Sequence, residues 1–171
     1  PSATEHGISA PVELTDHGPR AHSSENTKNS ACFFSSMLRR NRLFDLCREY
    51  NLTHLAFGHN ADDLVATFFM NVVQNGRVDG MSASEDFFGG QLKVVRPALF
   101  LEKSFIKAAA RQWALPVWSN PCPSAGNTRR SEIEAWLALE MGKSKRISNN
   151  VFGALRRYQG ERHGIDLTGL S

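Results

Sequence analysis

Long apolar runs are missing from this chain: nowhere do 18 residues in succession lack polar groups, so the sequence offers no helix able to cross a bilayer. The start, PSATEHGISA, has neither a basic segment nor an apolar stretch, and so does not read as a secretory leader. A cytoplasmic chain without membrane contact is the expectation. Cysteine is scarce: Cys32, Cys47 and Cys122 form an odd, widely spaced set of three, which argues against a disulfide framework and for reduced thiols. Lysine is scarce too, with six against fourteen arginines, within a net charge of only +3. The planar fork of arginine suits phosphate, and Arg39-Arg40, Arg129-Arg130 and Arg156-Arg157 occur as pairs. A nucleotide or nucleic-acid partner competes here with ordinary solvated helix faces. No internal repeat is present.

What is there suffices for a core, since 171 residues with 41% apolar content support one main domain. Residues 1–30 are rich in Ser, Thr, Pro, His and Gly around a brief VEL and read as a polar linker or edge segment. Residues 31–160 read as the domain and 161–171 as a tail. Apolar spacing predicts helices over residues 36–50, 62–74, 102–113, 131–141 and 147–158, and strands over 54–58, 92–95 and 116–118. Phe105, Ile106, Ala109, Ala110 and Trp113 are expected to face inward, as are Trp118 and Trp136. Residues 76–90, GRVDGMSASEDFFGG, read as a mobile surface loop. Strands alternating with helices indicate an α/β domain with a mainly parallel sheet flanked by helices.

The stretch AFGHNADDLVATFFMN, residues 56–71, joins an apolar strand to an apolar helix through a polar junction. Ligands in such folds sit beyond the carboxyl ends of the strands. Gly58 permits close backbone approach, Asn60 can cap the helix, and Asp62 and Asp63 occupy its first turn, where carboxylates interact favourably with the dipole. Capping explains this pattern. Two acids beside His59 at a strand end equally suit Mg²⁺ bound to a nucleotide. Arg96, before Pro97 at another strand end, points to the same rim. Arg129 and Arg130 open a helix against its dipole, which implies a compensating anion from outside.

Taken in order, CFFSSMLRR, the GHNADD junction, NGRVDGM, VVRP and NPCP ahead of Arg129 resemble the PP-loop ATP pyrophosphatase superfamily. Within it, the tRNA 2-thiocytidine synthetase branch is the most similar. The resemblance covers about residues 32–141. It implies an adenine nucleotide alpha hydrolase-like fold and an enzyme that uses ATP and Mg²⁺ to activate a cytidine carbonyl in tRNA before sulfur replaces it. Asp62 and Asp63 would then stand near the nucleotide and metal, with Gly58, His59, Asn60 and Arg96 on the cofactor. Cys32 and Cys122 would serve sulfur chemistry or an iron–sulfur cluster, and Arg39, Arg40, Arg129 and Arg130 would meet RNA. tRNA and a sulfur-donor protein follow as partners, with a homodimer left open.

Three departures qualify the transfer. The family's SGGxDS phosphate loop does not occur in these residues, and Gly89-Gly90 cannot replace it. The chain is therefore expected to be a C-terminal part of a longer enzyme. Where the branch has CxxC, this sequence has Cys32-Phe33-Phe34-Ser35, and serine is a poor cluster ligand, which disfavours a cluster. Ala66 stands where DDxxET would place a glutamate. A non-catalytic RNA- or nucleotide-binding module on the same scaffold, and another PP-loop ligase, are the competing readings.

Overall fold

The computed structural model describes residues 7, 12–27, 30–117, 126 and 128–164. They fall into two compact units, Pro1–Asn51 with Lys107–Gly126, and Leu52–Ile106 with Asn127–Ser171.

In the first unit, α1 (His17–Ala21) lies within the polar start, which is therefore not all linker. Val12 and Leu14 form no strand and are exposed. α2 (Ala31–Glu49) begins ahead of the predicted residue 36 because Ser30 caps it, its hydroxyl accepting the Phe33 N–H at 3.3 Å. Cys32 and Ser35 consequently sit at the start of α2, not in a preceding loop. Ala21, Phe34 and Cys47 are buried, and Arg42 ties Glu13 to Glu49.

The second unit contains a three-stranded sheet of β1 (His54–Ala56), β2 (Ser84–Phe87) and β3 (Leu92–Val95) in the order β1-β3-β2. β1 and β3 run parallel with Leu55 opposite Val94, as an α/β domain requires. β2 is the addition: it pairs antiparallel with β3, Ser84 opposite Val95, and makes the sheet mixed. This strand lies in the segment read from sequence as a mobile loop. The chain returns through Phe88, Gly89 and Gly90, whose φ values of 54°, 66° and 88° are all left-handed, so the glycine pair builds a hairpin. Among the described residues β1 is an edge strand, and its Leu55 is only half-buried where a buried strand was expected.

α3 (Ala61–Asn75) follows β1 and ends at Gly76 in the left-handed conformation, as Asn75-Gly76 predicts. α4 (Lys103–Gln112) starts in this unit and belongs to the first from Lys107 on, while α5 (Arg129–Gly142) and α6 (Lys145–His163) complete the set, and α6 runs past the boundary drawn at residue 160. Leu64, Val65 and Ala66 of α3 join Leu99, Leu137 of α5, and Phe152 and Leu155 of α6 in the core. Several expected core residues are not enclosed. Phe105 and Trp113 are 64% and 67% exposed, while Trp136 is half-exposed with its ring edge-on to Phe69 at 5.5 Å. Val72 and Val73, near the end of α3, are exposed as well. Helical spacing identifies an apolar face, but burial needs a neighbour to cover it. Residues 116 and 117 form no strand, and Trp118 lies outside the described residues. No described helix is long and apolar enough to cross a membrane.

Candidate functional site at the junction of β1 and α3

The polar junction is a helix start built with two interlocking bonds. The Asn60 side chain accepts the Asp63 N–H at 3.1 Å, and the Asp63 carboxylate accepts the Asn60 N–H at 3.0 Å, a capping box. Such a cap contributes about 1 kcal/mol. The second oxygen of Asp63 takes the Arg130 guanidinium, which also bonds Glu134 at 2.7 Å. Asp62 points elsewhere: its carboxylate accepts the backbone N–H of Lys103 at 2.7 Å and so receives the start of α4. One oxygen of Asp62 has no hydrogen-bond partner among the described residues. Both acids border a cleft of about 340 Å³ whose rim also carries Glu102 and Glu134 and whose floor includes Val65, Leu137 and Phe152.

His59 lies just ahead of this cap, half-buried and tilted against Phe57. Its Nδ1 is buried without a hydrogen-bond partner. Burial holds the imidazole below its ordinary pKa, and the Arg96 cation adds to this while Asp63 opposes it. Arg96 itself is almost enclosed, with 10% of its side chain exposed; it donates to the Ser82 carbonyl and to Glu85 at 3.2 Å, and its Nε is buried without a partner. His59, Arg96, Asp63, Arg130 and Glu85 thus share one electrostatic neighbourhood at the carboxyl ends of β1 and β3. The Cβ position of Gly58 meets nothing within 4 Å, so the space beside the backbone there is open.

The structure changes the meaning of the arginines that open α5. Arg129 pairs with Glu132 at 3.3 Å and Arg130 with Asp63 and Glu134, so carboxylates of this chain already face both cations. Arg39 and Arg40 on α2 differ, being exposed and without an ion pair among the described residues. The roles of Ser82, Glu85 and Glu134 escape sequence reading. Glu85 sits on the overlooked strand β2, where Glu85 and Phe87 alternate with the exposed Ser84 and Asp86.

Fit to the implied groups is uneven. A polar ligand group could satisfy His59 Nδ1 and Arg96 Nε, both enclosed and unpartnered. Magnesium bound to a nucleotide needs one or two carboxylates besides phosphate oxygens, and Asp62 has an oxygen to offer whereas both oxygens of Asp63 are engaged. The thiols named for an iron–sulfur cluster, Cys32 and Cys122, are described only in part. Cys47 is buried with its thiol pushed up by desolvation, Cys32 lies on α2, and no group of three His, Cys, Asp or Glu side chains converges among the described residues. Cys122 lies outside the described residues. Ala66 is fully enclosed, so that position contributes packing where a glutamate would offer a carboxylate.

Residues 10–133 match the model of the PP-loop domain. The chain belongs to the PP-loop domain family. Among curated proteins it is similar to the tRNA-cytidine(32) 2-sulfurtransferase of Bordetella pertussis, 30% identical over 81% of this chain and 45% of that protein. The enzyme of that name from Cupriavidus metallidurans is 33% identical over 74% of this chain and 41% of the relative. That from Geotalea uraniireducens is 31% identical over 91% and 62%. This PP-loop chain spans about half the length of the curated relatives it matches. The family match encloses the junction, the hairpin and the start of α5, the segments that meet at His59 and Asp63.

Proposed function

We propose that this chain is part of an ATP-dependent tRNA sulfur-transfer enzyme and that the junction of β1 and α3 borders its nucleotide site. The observation that carries this reading is the pair of enclosed, unpartnered polar atoms, His59 Nδ1 and Arg96 Nε, beside the Asn60–Asp63 cap at the carboxyl ends of parallel strands. The names of the relatives support the substrate class. When bound, ATP with Mg²⁺ would supply activation of a cytidine carbonyl oxygen as a leaving group. The chain's own residues then have separate tasks. Gly58 leaves room for backbone approach, and His59 and Arg96 offer a donor or acceptor to the ligand. Asp62 offers the carboxylate oxygen, and Asp63, held by Arg130, keeps the turn rigid. Arg39 and Arg40 meet tRNA phosphates, and Cys32 with Cys122 belongs to the sulfur side of the reaction.

The commitment of Asp63 to its cap and to Arg130 also favours a second reading, a non-catalytic RNA-binding module on the same scaffold. Two assays on the 171-residue chain separate them. Salt-sensitive tRNA binding without pyrophosphate release is the expected result, because no SGGxDS loop occurs in these residues to hold the pyrophosphate. Co-expressing the chain with the remaining segment of a longer relative should give ATP- and tRNA-dependent pyrophosphate release. Absence of that release, with binding intact, favours the binding module. Absence of tRNA binding overturns both readings.

A further inference from the structure

We propose that the solvent face of α6 is an RNA-docking surface; this rests on the tRNA reading above and adds a site to it. Residues 145–160 contain no Asp or Glu. At 100° per residue, Arg146, Asn149, Asn150, Gly153 and Arg157 share one side of the helix, opposite the buried Phe152, Leu155 and Gln159. Lys145, Arg146, Asn149, Asn150 and Arg157 are exposed. None of the three cations has an ion pair among the described residues. This contrasts with α5, where both leading arginines are neutralised internally, and with Lys143, which pairs with Glu140 at 2.7 Å.

The arginine pair at the middle of α6 divides its work. Arg156 turns inward and donates to the Phe100 carbonyl at 3.1 Å, leaving Arg157 outward. Arg146 and Arg157 are separated by roughly 16 Å along the axis, enough to reach different phosphates. Exposed asparagines between them can bond phosphate and sugar oxygens. The partner chemistry is a polyanion with sugar hydroxyls. A membrane surface is disfavoured, because a helix lying on lipid needs an exposed apolar face and this side has none.

The test measures binding of an unmodified tRNA transcript to the 171-residue chain at about 50 mM and about 200 mM salt. The double variant Arg146→Glu, Arg157→Glu is compared with Lys107→Glu, Arg111→Glu, which makes the same charge change at exposed positions of α4. The α6 variant should lose roughly tenfold or more in affinity at low salt, and its salt slope should flatten by about 1.5, near 0.7–0.9 for each phosphate no longer neutralised. The α4 control should lose less than roughly threefold. Equal losses in the two variants overturn the α6 site while leaving tRNA binding itself intact. No salt-dependent binding by the unaltered chain overturns the tRNA reading and the α6 site together. Loss of binding to anionic phospholipid vesicles with tRNA affinity unchanged assigns the face to a membrane and likewise overturns the proposal. Should circular dichroism show the charge-reversed variant misfolded, Arg146→Gln with Arg157→Gln decides the matter by the same criteria.

Discussion

In the unit of Leu52–Ile106 and Asn127–Ser171, core and junction occupy the same helical turns. Leu64, Val65 and Ala66 are enclosed directly after Asp62 and Asp63, so what anchors α3 in the core also aims its first turn. In the unit of Pro1–Asn51 and Lys107–Gly126, the buried side chains among the described residues are Ala21, Phe34 and Cys47, and Arg39 and Arg40 stand in solvent. The difference teaches that candidate site residues in the larger unit also serve folding, whereas those of the smaller unit can change without much structural consequence. Substitutions that separate stability from binding are the way to break that contrast.

The largest effect is expected from Leu64→Ala, which empties a fully buried position beside the junction and should cost about 2–5 kcal/mol in urea unfolding. A cost below about 1 kcal/mol would mean that the core does not hold this turn. Asp63→Ala comes next. It removes the acceptor for the Asn60 N–H and the partner of Arg130 in a part-buried setting, for an expected loss of about 1–2 kcal/mol. Rescue of stability by Asp63→Asn, which keeps an acceptor but not the charge, would assign most of the effect to the cap.

A pH experiment reads a smaller contribution. Because burial and Arg96 depress the His59 pKa below 6.5, the unfolded chain binds more protons than the folded one between the folded value and 6.5. Stability should therefore rise with pH through that window, being complete above it and lost as pH falls through the folded value. His59→Gln should flatten this part of the profile, and an unchanged slope would show that His59 is not the group responsible. The smallest structural effect belongs to Arg39→Gln with Arg40→Gln on exposed α2, within about 0.5 kcal/mol of the unaltered chain. The same pair should weaken tRNA binding measurably. A large loss of stability would erase the contrast between the units.

Local spacing and short polar signals determined much of this protein from the sequence alone. The helix after Asn60, its end at Gly76, the strand at residues 92–95 and the general α/β character follow from apolar period, a capping residue and a left-handed glycine, all of which act within a few residues. The GHNADD junction and its family were legible for the same reason. Only tertiary structure decided what each charged group faces. Arg130 looked available to an outside phosphate until the fold brought Asp63 to it across 67 positions, and Glu85 joined Arg96 only because β2 pairs with β3. The exposure of Phe105 and Trp113 was equally hidden, since amphipathic spacing orients a face but does not supply the surface that covers it. Ion pairing and burial depend on groups distant in the chain, and a sequence pattern read locally carries no record of them.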